Sequence, residues 1–173
     1  MKNLKFSRLF AAMMFVACLA FTGCTPVTEE KIIVNEKVIV LTKLASDDML
    51  VGDWVDDKDA HYVISKNDFD NYGSWGDSYA GNNLVVQEFS ETEGTIFIKY
   101  TRAANPDWTY TTTAPDVGKW YAISYKNLTE DSIDLSGAWG DKSSCEKLED
   151  AVVEFTIDNK YFGSYTTCTK NKN

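Results

Sequence analysis

Short runs of alternating apolar and polar residues, separated by polar turns, dominate the chain after residue 48. Three pairs of such runs flank turns of a few residues: 51–57 with 60–68, 84–89 with 95–101, and 119–127 with 131–139. Period-two alternation on both sides of a short polar turn predicts a β-hairpin. Successive hairpins predict a mainly β domain over 49–173, with seven to nine short antiparallel strands. We therefore expect a small antiparallel up-and-down barrel, which also removes exposed sheet edges.

The segments between the hairpins indicate connectors and one helix. Residues 70–83 and 103–116 are rich in Gly, Asn, Asp and Pro and are predicted as connectors, the second with room for a short strand. Leu148, Ala151, Val152 and Phe155 fall at helical spacing, which predicts one C-terminal amphipathic helix over 144–156, lying on the sheet. Residues 157–170 fit a strand or a second short helix, and their Gly163 and Ser/Thr residues favour a strand.

The first 23 residues have the layout of a secretory signal peptide. MKNLKFSR carries three basic residues and no acid, and the apolar run at 9–21 follows it. Thirteen helical residues rise about 20 Å, which is too short to cross a hydrocarbon core of about 30 Å. We predict that residues 1–23 are a signal, residues 24–48 an N-terminal tether, and 49–173 a single barrel domain. KIIVNEKVIVL in the tether fits either an extended strand or a helical stalk.

Phe21-Thr22-Gly23-Cys24 resembles the lipobox of bacterial lipoproteins. The resemblance implies lipidation of Cys24: its thiol takes a diacylglycerol, the signal is cut before it, and the new amino group is acylated. Thr25, rather than Asp, follows the cysteine, and the resemblance then implies anchoring in the outer membrane of the cell envelope, facing the periplasm or the cell surface. Ordinary secretion with a free Cys24 is the alternative.

Two cysteines remain after the signal and the lipidation site are set aside. Cys145 and Cys168 are an even pair in an exported protein, which suggests a disulfide, with two free thiols as the alternative. The chain has a formal net charge of −9, which disfavours nucleic acid as a partner.

The sequence offers little to catalysis and more to binding. His61 is the one histidine, with no evident partner, and no nucleophile motif or metal-ligand spacing appears. We therefore expect no enzyme, no cofactor and no metal site, although nothing in the spacing excludes a carboxylate pair. Aromatic residues make up 13% of the chain, and such rings either fill the barrel or serve as binding surfaces. The candidate ligand-binding residues are Trp54, Tyr100, Trp120 and Tyr121.

The chain resembles small bacterial lipoproteins with a lipocalin-like barrel. Gly52-Asp53-Trp54 matches the G-x-W that opens the first lipocalin strand, and the 120–139 hairpin and the late helical segment 146–156 accompany it. The resemblance implies a non-catalytic, membrane-anchored protein whose barrel mouth or aromatic patch binds a small apolar or amphipathic ligand. The alternative is a surface adhesin or an enzyme inhibitor, which predicts an exposed aromatic patch outside the barrel.

Overall fold

The computed structural model describes residues 28–34 and 36–172. The signal peptide over 1–23 and the lipidation site Cys24 therefore lie outside the described residues. Within the described ranges, eleven strands and one short helix form. They are β1 (Glu29–Val34), β2 (Lys37–Thr42), β3 (Gly52–Val55), β4 (Ala60–Ile64), β5 (Phe69–Gly73), β6 (Gly76–Ser90), β7 (Glu93–Ala104), β8 (Tyr110–Thr111), β9 (Trp120–Lys126), β10 (Ser132–Gly137), α1 (Leu148–Glu154) and β11 (Thr166–Lys170).

Eight of the strands close into an antiparallel barrel. Its order is β3-β4-β5-β6-β7-β9-β10-β11, and β11 pairs back onto β3. Because every neighbouring pair is antiparallel and follows the chain order, this is the up-and-down barrel that the hairpin patterns predict. The fold is thus mainly β with a single short helix, as expected from the sequence.

Alternation of direction gives the barrel two distinct ends. The helix end carries residues 56–59, 74–75, 105–119 and 138–165, the last of which contain α1. The turn end carries the short turns at 65–68, 91–92 and 127–131 and the segment that leads into β3.

Two local predictions differ from the structure. Residues 70–83 are not a connector: they complete β5, make a two-residue turn and begin β6, with Gly73 opposite Gly76. Gly76 has φ +108°, a conformation that glycine adopts without strain, so the glycines here shape a hairpin turn. The helix covers Leu148–Glu154 rather than 144–156.

The apolar stripe of the helix is where the sequence predicts it. Ala151 and Val152 are buried within α1, and Phe155, directly after it, is 1% exposed. Of the final segment 157–170, Thr166–Lys170 form the strand β11, the favoured one of its two predicted forms, and 157–165 form neither strand nor helix.

Residues 28–48, assigned from the sequence to a tether, pack against the barrel. β1 and β2 form a hairpin, and Thr42 pairs with Val86 of β6. Leu41 and Leu44 are fully buried in the common core. The outer face of the barrel explains this, because Val85 and Phe97 point away from the interior and need apolar cover. None of the described helices is both long and apolar enough to cross a membrane.

Candidate functional site: two exposed tryptophans at the helix end of the barrel

Aromatic side chains occupy the barrel interior. Tyr79 stacks on Phe69 with ring centroids 5.4 Å apart and meets Tyr121 edge-on at 5.2 Å. Tyr121 stacks on Tyr100 at 4.8 Å and also meets Phe155, which follows α1. This continuous series of ring contacts fills the space in which a lipocalin-like barrel would hold a ligand.

The polar groups of the interior are uncharged. Burial raises the pKa of Tyr79 and of Tyr100 well above the usual tyrosine value, and neighbouring tyrosines add to the effect. Burial, together with the nearby Cys168, raises the pKa of Tyr62 to about 12. Burial likewise raises the pKa of the Cys168 thiol to about 12. At neutral pH these groups are protonated, and none of them is a ready base or thiolate nucleophile.

The structure separates the four candidate ligand-binding residues. Trp54 is fully buried in the first barrel strand and its indole N–H donates to the Leu50 carbonyl at 2.9 Å. Tyr100 and Tyr121 come together inside the barrel, where the Tyr121 hydroxyl donates to the Ala138 carbonyl. Trp120 lies on the outer face, half-buried, beside an open groove of about 470 Å³. These residues therefore belong to three different environments.

The predicted disulfide between Cys145 and Cys168 is wrong. Both thiols are free and buried. Cys145 bridges to Trp120 at the start of β9, whereas Cys168 pairs with Ile133, which lies beyond the other end of β9. Seven residues of strand separate the two levels, or about 23 Å, while a disulfide needs Cα atoms about 4.4–6.8 Å apart. The even number of cysteines reflects two separate core positions.

A pair of exposed tryptophans, Trp108 and Trp139, stands at the helix end. Trp108 lies in the turn between β7 and β8, and Trp139 follows β10. Their rings stack with centroids 5.8 Å apart and planes 23° apart. Yet Trp108 is 66% exposed and Trp139 is 74% exposed. Each ring is held on one side by the other and leaves most of its surface to solvent, so the pair forms a fixed aromatic surface outside the barrel.

The backbone around Trp108 is strained and hydrogen-bonded into place. Trp108 has φ +66°, in the left-handed region that bulky residues rarely adopt. Its N–H donates to the Asn105 carbonyl at 2.9 Å, and the Asn105 N–H donates to the Thr109 carbonyl at 2.7 Å. Asp107 accepts from both the N–H and the hydroxyl of Thr109, which hold the pKa of Asp107 below its usual value. The hydrogen bonds of this tight turn therefore hold the Trp108 backbone in a conformation that costs stability, and the indole is fixed as a result.

Trp139 is fixed from the opposite side by the chain after the helix. Its N–H donates to the Tyr161 carbonyl at 2.9 Å. The Tyr161 ring packs edge-on against Phe155 at 5.0 Å, and its hydroxyl donates to Glu154 at 2.7 Å. Lys142 and this hydroxyl hold the pKa of Glu154 below its usual value. The connection that carries α1 therefore positions the second ring of the pair.

His61 has a partner that the sequence did not reveal. Its Nδ1 lies 2.9 Å and 3.0 Å from the two carboxylate oxygens of Asp53, and Asn171 donates to the same carboxylate. The imidazole stacks on Tyr72 at 4.8 Å. Among the described residues, none of the hydrogen bonds of His61 or Asp53 adds a hydroxyl or thiol nucleophile. Among all the described residues, no group of three His, Cys, Asp or Glu side chains is placed to hold a metal ion.

The sequence patterns do not single out Trp108 and Trp139 as binding residues, although a signal for them exists. Trp108 lies in the turn-forming context PDWT, and Trp139 ends the predicted run 131–139 within GAWG, where a strand gives way to a turn. A tryptophan in a turn does not lie on the inward face of a strand, so its ring is more often left exposed to solvent.

Comparison of the chain with protein-family models, curated proteins and solved structures found no match.

Proposed function

We propose that this protein is a non-catalytic binding module of the bacterial cell envelope, held at a membrane by lipid on Cys24, which binds its ligand on the Trp108–Trp139 pair. The observation that carries the proposal is that two stacked indoles remain largely exposed, at 66% and 74%. Exposed aromatic residues that are rigidly held are the usual anchors of binding surfaces.

The rigidity of the pair supports a binding role. A ligand that meets a mobile side chain loses affinity because it must order that side chain, at about 0.5–1.5 kcal/mol each. Here each ring is already ordered by the other ring, by the Asn105–Thr109 turn or by the Tyr161 carbonyl. Backbone strain of the kind at Trp108 concentrates at ligand-binding and active sites. The pair is therefore preorganised for contact.

Because aromatic side chains fill the barrel interior, the expected ligand-binding site lies on the outside of the barrel. A ligand inside the barrel would have to displace Tyr79, Tyr100 and Tyr121, which contact one another directly. The amphipathic character expected of the ligand suits the outer pair as well, because an indole offers an apolar face and a polar N–H.

The position of the proposed anchor favours an outward-facing pair. Thr28 accepts a hydrogen bond from Lys43, next to Thr42, which pairs with Val86 close to the turn end of β6. Cys24 precedes Thr28 by four residues, which span at most about 14 Å. A lipid on Cys24 would hold the turn end near the membrane and leave the helix end, with Trp108 and Trp139, directed away from it.

Fluorine NMR tests the location of binding. The full chain contains five tryptophans, so 5-fluorotryptophan labelling gives five signals, which single Trp→Phe variants assign. Decanoate, choline and neutral hexasaccharides serve as probes. We expect at least one probe to shift the signals of Trp108 and Trp139 and to leave the buried Trp54 unchanged. A shift confined to Trp54, or no shift at Trp108 and Trp139 with any probe, would contradict binding at the pair.

Mass spectrometry of the membrane-extracted protein tests the anchor. We expect an N-terminal peptide that starts at Cys24 and carries diacylglycerol and an amide-linked acyl chain. The Cys24→Ala variant is the matched control and should carry neither group. An unmodified Cys24 in the wild-type chain would overturn the anchor and leave the binding site to be judged by the NMR result.

A further inference from the structure

We infer that the ligand of the Trp108–Trp139 pair is a neutral sugar chain, whose ring faces stack on the indoles. The inference rests on the proposed function, since it names the ligand class for the same site. Three properties of the described surface carry it: the size of the aromatic area, its flat shape, and the charge around it.

The exposed aromatic area fits one or two sugar rings and is small for a protein partner. A tryptophan offers roughly 250 Å² at most, and exposures of 66% and 74% leave roughly 350 Å² for the two residues together. A stable protein interface covers about 800 Å² on each partner. A pyranose ring is comparable in size to the six-membered ring of an indole. Because the two indoles stack on each other, their open outer faces point in opposite directions, and each face matches one sugar ring of an oligosaccharide.

The shape of the pair disfavours a wholly apolar ligand. Pockets for such ligands are concave and enclose about 70–90% of the ligand surface, whereas two stacked rings at 66% and 74% exposure enclose nothing. A sugar differs because only one face of its ring presents C–H groups, and its hydroxyl rim stays in water. A flat indole covers that apolar face and leaves the rim hydrated.

The surroundings of Trp108 supply hydroxyl groups and negative charge. Thr109 and Thr113 are exposed or close to the surface, and Asn105 donates to the hydroxyls of Thr109 and Thr111. The Thr109 hydroxyl already donates to Asp107, but a hydroxyl oxygen that accepts one hydrogen bond has a second lone pair, so this rim can accept hydrogen bonds from sugar hydroxyls. Asp107 is ionised, and the whole chain has net charge −9. Both facts disfavour anionic sugars and anionic lipids and leave neutral sugars as the fitting class.

A cation is the other ligand that aromatic residues recognise, and the geometry favours the sugar. Recognition of a quaternary ammonium group uses several rings that surround it. Trp108 and Trp139 lie nearly parallel, 23° apart, with their facing sides in contact. They offer open outer faces rather than a cage, which suits a ring that stacks on one face.

Calorimetric titration of the full chain tests the inference. The probes are four neutral hexasaccharides (cellohexaose, laminarihexaose, maltohexaose and mannohexaose), an anionic oligogalacturonate, and choline. We expect saturable binding of at least one neutral hexasaccharide, and none of the oligogalacturonate or choline. Trp108→Ala and Trp139→Ala should each weaken the binding about tenfold or more, which corresponds to about 1.4 kcal/mol. Trp108→Phe should retain part of the affinity because it keeps an aromatic face.

Trp75→Ala is the matched control, because Trp75 is also exposed, at 60%, in the β5–β6 turn at the same end of the barrel. It should bind like the wild type, and circular dichroism should show that every variant keeps the β-sheet spectrum. No binding of a neutral hexasaccharide, or binding that survives both Trp108→Ala and Trp139→Ala, would overturn the inference. If decanoate or choline still shifted the fluorine signals of the pair, the proposed function would stand. If no probe shifted them, both would fail.

Discussion

Replacement of Trp108 by glycine should leave the protein more stable than its replacement by alanine, because Trp108 has φ +66°. An L-residue in the left-handed conformation costs about 1–2 kcal/mol, which alanine retains and glycine avoids. The greater freedom of glycine in the unfolded chain offsets about 0.5–1 kcal/mol of that gain. Both variants lose the ring contact with Trp139, so that loss cancels between them. The free energy of unfolding of Trp108→Gly should exceed that of Trp108→Ala by about 0.5–1 kcal/mol.

Urea unfolding followed by circular dichroism measures the difference, and Trp139 provides the control. Among the described residues with positive φ, Trp139 does not appear. Trp139→Gly should therefore be less stable than Trp139→Ala by about 0.5–1 kcal/mol, the opposite sign. The same order at both positions, with glycine the less stable, would refute the argument that the turn holds Trp108 in a strained conformation. Sugar binding should weaken about tenfold or more in all four variants.

Three further measurements test the fold. Leu41→Ala should lower the free energy of unfolding by about 2–4 kcal/mol because Leu41 is fully buried. The control Val40→Ala, at an exposed position, should change the free energy of unfolding by less than about 0.5 kcal/mol. Equally small effects of both variants would show that the β1–β2 hairpin is a loose tether. Stability should fall as the pH rises from about 10, where unfolded tyrosine titrates, to about 12, the pKa of Tyr62. The unfolded chain releases protons there that the folded barrel retains, so tyrosinate absorbance should rise together with the loss of sheet signal, and full ionisation near pH 10 in a folded barrel would contradict the burial. Cys145 and Cys168 should react with a thiol reagent only when urea unfolds the protein, which peptide mapping would show. Addition of a reductant should leave the Tm unchanged, and a drop in Tm on its addition would reveal a disulfide.

The hairpins could be predicted because their signal is local. The segments predicted at 119–127 and 131–139 became β9 and β10 with ends shifted by one or two residues. Alternation fixes which residues face inward, and a short turn fixes the partner strand. Since the connections of an up-and-down barrel join neighbouring strands, local hairpins almost determine its order. The pairing of β11 with β3 joins residues more than a hundred positions apart, and only the curvature of the whole sheet determines it.

Glycine misled the prediction in 70–83 because it has two roles. In a turn it permits positive φ, as at Gly76. Within β6, Gly81 permits close packing: a Cβ there would lie 2.8 Å from the Ile98 side chain and 2.9 Å from the Lys99 carbonyl. A strand interior uses glycine where another backbone approaches closely. Composition alone does not distinguish the two roles, so the segment resembles a loop although all of it except residues 74–75 lies in strands.

The cysteines show why residue counts do not replace positions. Cys168 is fully buried, with a raised thiol pKa, and it behaves as a small apolar core residue. Cys145 is buried and pairs through its backbone with Trp120 at the start of β9. The even count and the predicted export are compatible with a disulfide, but the backbone pairing of each cysteine fixes it at a level of the barrel far from the other.

The four candidate ligand-binding residues all lie in predicted strands, and the structure buries three of them, Trp54, Tyr100 and Tyr121. Strand residues such as Tyr100 and Tyr121 have an inward face, so their rings pack in the core. Exposure instead falls on rings in turns, where no sheet face receives them, as at Trp108 and Trp139. Sequence periodicity carries no information about which turns approach each other in space. The 5.8 Å contact between turns separated by 31 positions is therefore a property of the closed barrel alone.

Two costs to stability coincide at the Trp108–Trp139 pair. In the described residues, the interior leaves no buried side-chain polar atom without a hydrogen-bond partner, and its rings pack directly on one another. At the helix end, by contrast, Trp108 combines a strained backbone with an exposed apolar ring, and the exposed Trp139 stands against it. Glycine at position 108 would relieve the backbone strain, and a polar residue at either position would remove the exposed apolar ring. Residues whose conformation or exposure costs stability are expected at functional sites. Trp108 and Trp139 are two such residues, and their rings stack 5.8 Å apart, which is the arrangement that selection for binding would retain.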